Sequence, residues 1–160
     1  MFDIFKKNIT VVAPISGKVI ALEMVPDEVF AKKIVGDGVA IDELEGDLAC
    51  APIDGKLVLV FRTNHAFAIQ GKDGIEILVH IGIDTVELDG EGFERLAEEG
   101  TVVKTGDPII RFNRDIIKNS GRSLASPVII TTPDQIGKLS INAGGKVVAG
   151  QEVIFSYKKK

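Results

Sequence analysis

Short runs of Val, Ile, Leu and Phe recur along the whole chain, cut every several residues by Gly, Pro, Asp or Asn. Runs this short, bounded by turn residues and rich in β-branched side chains, predict strands rather than helices. Residues 17–22, 56–61, 75–81 and 128–130 are the clearest. A helix is predicted over residues 92–99, because Phe93, Leu96 and Ala97 fall at i, i+3 and i+4 and Gly100 supplies a left-handed stop. A second short helix is predicted after Asn113 as N-cap, with Ile116 and Ile117 inward, ending before Gly121. Many short strands with one or two short helices predict an all-β fold, an antiparallel sandwich or barrel.

The pattern also repeats. Ala13-Pro14-Ile15-Ser16-Gly17-Lys18 recurs as Ala51-Pro52-Ile53-Asp54-Gly55-Lys56, and Val102-Val103-Lys104-Thr105-Gly106-Asp107-Pro108-Ile109 resembles Val147-Val148-Ala149-Gly150-Gln151-Glu152-Val153-Ile154. Two copies at a spacing of about 40 residues are too few to stack as a solenoid. Internal duplication within one closed β-domain, residues 1–160 with residues 1–8 as a short N-terminal tail, is the expected organisation.

Two histidines interrupt the oily runs. With residues 61–67 extended, Phe61, Thr63, His65 and Phe67 share one face, because strand side chains alternate. In residues 76–82, Ile77, Val79 and Ile81 face the core while Leu78 and His80 take the other side. Only residues 70–74 separate the two runs, so they are expected to pair as neighbouring strands and bring both imidazoles together.

Composition narrows the chemistry. The 160 residues carry a net charge of −4. An acidic surface argues against a nucleic-acid partner, whose phosphates need clustered Lys and Arg. Lys158, Lys159 and Lys160 form the one basic run and read as a solvated tail. The single cysteine, Cys50, excludes an internal disulfide framework and fits a reducing cytoplasm. No apolar run reaches the ~20 residues of a membrane-spanning helix; Phe2, Ile4 and Phe5 offer at most a weak surface contact.

Two adjacent imidazoles suit phosphoryl chemistry. A neutral ring nitrogen attacks phosphorus without a base, and a second imidazole and a hydroxyl donate to the phosphoryl oxygens. Structural histidines remain an alternative. So does zinc held by His65 and His80 with Asp84, Asp27 or a partner's carboxylate, although no HExxH spacing is present. Neither a GxSxG elbow nor a nucleotide-binding glycine loop occurs.

Thr63-Asn64-His65-Ala66-Phe67-Ala68-Ile69 and Leu78-Val79-His80-Ile81-Gly82-Ile83-Asp84-Thr85-Val86-Glu87-Leu88 resemble the two histidine motifs of the glucose-family IIA component of the bacterial sugar phosphotransferase system. Ala13-Pro14-Ile15-Ser16-Gly17, Val25-Pro26-Asp27, Ile34-Val35-Gly36-Asp37-Gly38 and Gly90-Glu91-Gly92-Phe93 extend the resemblance over about residues 9–156. It implies an antiparallel β-sandwich with a duplicated hybrid motif, working as a cytoplasmic monomer without a required cofactor. It implies that His80 accepts a phosphoryl group from the carrier HPr and passes it to a cysteine of the IIB component of a sugar permease. His65 would contact the phosphoryl group. Thr63 and Asp84 would neighbour the site, and the Gly82 carbonyl would orient the His80 ring. Asp27 would meet the basic face of HPr, inside an apolar ring of Val29, Phe30, Ile34, Val35, Phe61 and Leu78. Regulated transporters or enzymes are further implied partners. Glu28 stands where the family often has an apolar rim residue, and Leu78 where it often has Phe.

Overall fold

The apolar runs become strands in a computed structural model that describes residues 8–142 and 144–160. The tail read at residues 1–8, with Phe2, Ile4 and Phe5, lies outside the described residues apart from the exposed Asn8. In chain order the elements are β1 (Ile9–Val12), β2 (Ser16–Ala21), α1 (Glu28–Ala31), β3 (Asp37–Glu45), β4 (Leu48–Cys50), β5 (Gly55–Val60), β6 (Ala66–Gln70) and β7 (Glu76–His80). There follow β8 (Phe93–Arg95), β9 (Val102–Val103), β10 (Pro108–Phe112), α2 (Arg114–Asn119), β11 (Ser126–Ile130), β12 (Ile136–Ile141), β13 (Lys146–Val147) and β14 (Val153–Lys159).

Every strand pair is antiparallel. One sheet of eight strands runs β13-β2-β3-β11-β7-β6-β5-β9, and two sheets of three run β1-β14-β12 and β4-β10-β8. The main core joins all three: Val11, Phe155 and Tyr157, Ile109 and Phe112, and Leu57, Phe67, Ile77 and Val79. A smaller cluster of Leu22, Val25, Phe30, Ala40, Ile83, Ala125 and Ile129 covers the other side of the large sheet, with Ile20 and Leu78 packed against it. The fold is all-β, as the run lengths predict.

The duplication is a structural one. Val12 N–H donates to the Pro52 carbonyl and Cys50 N–H to that of Pro14. Ala13 N–H donates to Glu152 where Ala51 N–H donates to Asp107, and Gly150 N–H meets the Ala13 carbonyl as Gly106 N–H meets that of Ala51. β13 lies on β2 as β9 lies on β5. Side chains follow suit: Ser16 Oγ accepts from Ala149 N–H, and Asp54 Oδ1 from Thr105 N–H. Each proline corner thus closes on the other copy.

The helix expected over residues 92–99 does not form. Residues 93–95 are not helical but form β8, paired with β10 from Phe112↔Phe93 to Ile110↔Arg95. Three apolar positions cannot offset the cost of nucleating a two-turn helix, whereas the edge of β10 offers backbone partners at once. Gly100 is left-handed at φ +93° but closes a turn. The basic run is solvated as read, all three lysines being exposed, but Lys158 and Lys159 end β14 and Lys159 Nζ donates to the Asp73 carbonyl. The second helix forms as read: Asn113 accepts from Ile116 N–H, Ile117 is buried and Ile116 half-buried.

Candidate functional site

β6 and β7 pair as expected, with Ala66 opposite His80. Ile77, Val79 and Ile81 are fully buried, which leaves Leu78 and His80 on the opposite face of the sheet. That face is not bare: His80 is half-buried, its ring centroid 5.0 Å from Phe30 of α1. The run before β6 is not extended. Asn64 adopts φ +60° and its N–H donates to the Phe61 carbonyl, so residues 61–65 make a tight turn. Alternation is lost there. Phe67 enters the core, off the face that holds His65.

The turn still brings the histidines together. Ile81 N–H donates to the His65 carbonyl, and the two imidazole centroids lie 4.9 Å apart at an interplanar angle of 80°. Phe61 lies edge-on to His65 at 5.2 Å, and Phe93 at 6.5 Å. Arg95 holds the turn from β8: its Nε donates to Asn64 Oδ1 at 2.9 Å and its Nη2 to the Phe61 carbonyl at 3.3 Å. The helical spacing over residues 92–99 places neither Phe93 nor Arg95 beside the histidines, although Phe93 belongs to the quoted motif. Nothing local in the segment points to a distant turn.

His80 Nδ1 lies 2.7 Å from the Gly82 carbonyl oxygen. A carbonyl only accepts, so Nδ1 carries the ring proton and Nε2 keeps its lone pair. Gly82 needs to be glycine: its φ is +73°, and a Cβ would stand 2.7 Å from Thr85 Cγ2. His65 Nδ1 lies 2.6 Å from the Thr63 hydroxyl. With that hydroxyl donating, His65 presents an N–H at Nε2.

Both rings are held neutral. Burial, and then the neighbouring His80, push His65 down to about 4. Burial also lowers His80, while the Gly82 carbonyl, Asp27 and Asp84 act the other way. Those three groups favour positive charge on the His80 ring, which is the charge that appears when Nε2 forms a covalent bond.

Asp27 caps α1, accepting from Val29 N–H at 2.8 Å. Asp84 is exposed in a left-handed turn at φ +60°. Phe30 is covered, Phe61 and Leu78 are half-buried, and Val29, Ile34 and Val35 are exposed at 43%, 68% and 37%. Met24 and Val86, which sequence reading passed over, are also exposed, at 71% and 53%. Glu28 points to solvent and pairs with Lys32 at 3.7 Å. Three clefts, of about 660, 230 and 340 Å³, are lined without either histidine. Among the described residues no three His, Cys, Asp or Glu side chains group as metal ligands, and no helix is long and apolar enough to cross a membrane. The two imidazoles are therefore half of a tetrahedral zinc site at most.

Residues 9–136 match the family model for the phosphoenolpyruvate-dependent sugar phosphotransferase system, EIIA 1. The chain is 45% identical to the glucose-specific EIIA component of Haemophilus influenzae, over 95% of this chain and 90% of that one. It is 49% identical to the N-acetylglucosamine-specific EIICBA component of Klebsiella pneumoniae, over 94% of this chain but only 23% of that longer protein. The solved structure of glucose permease IIA from Mycoplasma capricolum superposes with a TM-score of 0.87 at 42% identity, covering 94% of this chain and 97% of that one. On this evidence the chain belongs to the EIIA type 1 family of the phosphoenolpyruvate-dependent sugar phosphotransferase system.

Proposed function

We propose that the chain takes a phosphoryl group from the phosphohistidine of HPr onto His80 Nε2 and passes it to a cysteine of the IIB component of a glucose-family permease. One observation carries the reading: Nδ1–H is donated to the Gly82 carbonyl, so the free lone pair is on Nε2. In the first transfer Nε2 bonds to phosphorus while the donor's N–P bond breaks and its electron pair returns to the donor ring. The His80 ring becomes cationic, and the Gly82 carbonyl, Asp27 and Asp84 favour that charge. His65 Nε2–H donates to a phosphoryl oxygen. In the second transfer a thiolate takes phosphorus, and the pair of the His80 N–P bond returns to Nε2. The reading requires no metal, and zinc at His65 and His80 would need donors from a docked protein. It places the chain in the cytoplasm, as the single cysteine suggests. The exposed apolar residues beside the histidines favour protein partners over a small substrate. Incubation with phosphorylated HPr tests it. His80→Ala is expected to take up no phosphate. His65→Ala takes it up but releases it to IIB about 100-fold more slowly, the scale of one lost transition-state donor. Phosphorylation of the His80 variant would refute the assignment.

A second use of the same face is favoured by the exposure of Val29, Ile34 and Val35 around α1. Unphosphorylated, this surface binds and restrains other transporters or enzymes. A phosphoryl group adds about −1.5 to −2 charges and disfavours an apolar interface. Equal recovery of partners by both forms in a pull-down would sink the switch.

A further inference from the structure

The bend that orients His80 has every backbone polar group between the Ile81 carbonyl and the Ile83 amide held by a partner. The Ile81 carbonyl accepts from the Thr85 hydroxyl at 2.6 Å. Gly82 N–H donates to Ser126 Oγ at 3.0 Å. The Gly82 carbonyl accepts from His80 Nδ1, and Ile83 N–H donates to the Ser123 carbonyl at 3.0 Å. The Ser126 hydroxyl gives its own proton to the Leu124 carbonyl at 2.8 Å, so its oxygen is committed to accepting from Gly82. Ser126 and Thr85 are both 0% exposed, and each grips one end of the same peptide group, the one joining Ile81 to Gly82. The large majority of buried polar side chains are bonded, and a bonded pair fixes the plane it holds. The Gly82 carbonyl lies in the next peptide plane, which Ile83 N–H anchors on the Ser123 carbonyl, and with both planes held the φ and ψ of Gly82 between them are fixed. A left-handed glycine without such restraints has two broad basins open to it.

We propose that Ser126 is a positioning residue for phosphoryl transfer. Its hydroxyl, backed by the Leu124 carbonyl and assisted by Thr85, aims the Gly82 carbonyl at Nδ1 and so keeps the His80 proton off Nε2. This rests on His80 being the phosphoryl acceptor. Ser126 itself lies at the start of β11, bonded to the bend and not to the ring. It acts through Gly82, as the outer partners of functional histidines set which nitrogen is free.

The test reads the tautomer of His80 by long-range ¹H–¹⁵N correlation on the unphosphorylated, ¹⁵N-labelled chain, with phosphoryl uptake from phosphorylated HPr measured in parallel. The native chain is expected to show one tautomer, with the proton on Nδ1. Ser126→Ala should add the Nε2–H tautomer and slow uptake about tenfold, the lower end of the loss when such an outer partner is removed. Thr85→Val, which keeps the side-chain volume, should shift the same signals in the same direction. A native tautomer and a native uptake rate in Ser126→Ala, whatever its melting temperature, would overturn the positioning role. If Ser126→Ala does not fold, Thr85→Val decides by the same criterion. Failure of the native chain to carry phosphate on His80 would overturn the proposed function instead, and the tautomer comparison would reveal the difference because it needs no phosphate.

Discussion

The hairpins β2–β3 and β5–β6 are two copies of one frame that close in different ways. Each follows a proline corner, at Pro14 or Pro52, and each lies against a strand of two residues, β13 or β9. In the first copy the chain between the strands makes a 3-10 turn over Leu22–Met24 and then α1, capped by Asp27 and carrying Phe30 onto the His80 ring. In the second the chain closes through the turn at residues 61–65, which Arg95 grips and which delivers Thr63 and His65. The backbone frame is conserved between the copies while the closures diverge. One closure supplies the exposed apolar residues Val29, Ile34 and Val35 and the other the second imidazole, so neither copy holds the whole arrangement alone.

Damage to the shared frame should cost stability, and damage to a closure should cost chemistry. The largest effect is expected from Phe67→Ala, which empties a fully buried position opposite Val79. Large-to-small changes of this kind cost about 3–5 kcal/mol, read as a fall in denaturant midpoint. Acid comes next. The folded-state pKa of His65 is lowered from 6.5 to about 4, so the folded chain binds fewer protons than the unfolded one in that interval. Its contribution is complete above about pH 6.5 and is lost as pH falls towards 4, a change on the order of 3 kcal/mol. His80 is lowered too and pulls the same way. Unfolding curves of His65→Gln should lack most of this decline. Gly150→Ala should cost about 1–2 kcal/mol, because Gly150 is left-handed at φ +78° and its Cβ would press to 3.3 Å on Gly106 Cα. Uptake per folded molecule should be unchanged, since the contact joins the two corners. The smallest stability effect is expected from Asp27→Ala, about 1 kcal/mol or less for the lost cap. Its uptake should nevertheless weaken, with KM for the donor rising, if the first closure is the docking rim.

The frame was the legible part. Its corners are written twice, and strand periodicity survives wherever a residue sits in a paired ladder, as Ile77, Val79 and Ile81 do. The pairing of the two histidine runs followed from the short connection between them. What failed is local: alternation carried through residues 61–65 put Phe67 on the wrong face, because one left-handed Asn64 resets the register. The strand at residues 93–95 was hidden by an i, i+3, i+4 spacing that the edge of β10 overrides. Arg95 and Ser126 act on turns far away in the chain, and Thr85 reaches back to the Ile81 carbonyl; bonds of this kind leave no periodic signature in side-chain type. The choice between the two nitrogens of His80 is likewise geometric. The resemblance singles out His80 as the acceptor, and the Gly82 carbonyl selects which of its nitrogens is free.

That selection can be read directly. With the chain phosphorylated by HPr, ¹H–¹⁵N–³¹P NMR reports which ring nitrogen carries phosphorus. The account predicts a single phosphohistidine, at Nε2 of His80, with Nδ1 still protonated. Phosphorus on Nδ1, or on His65, would contradict it.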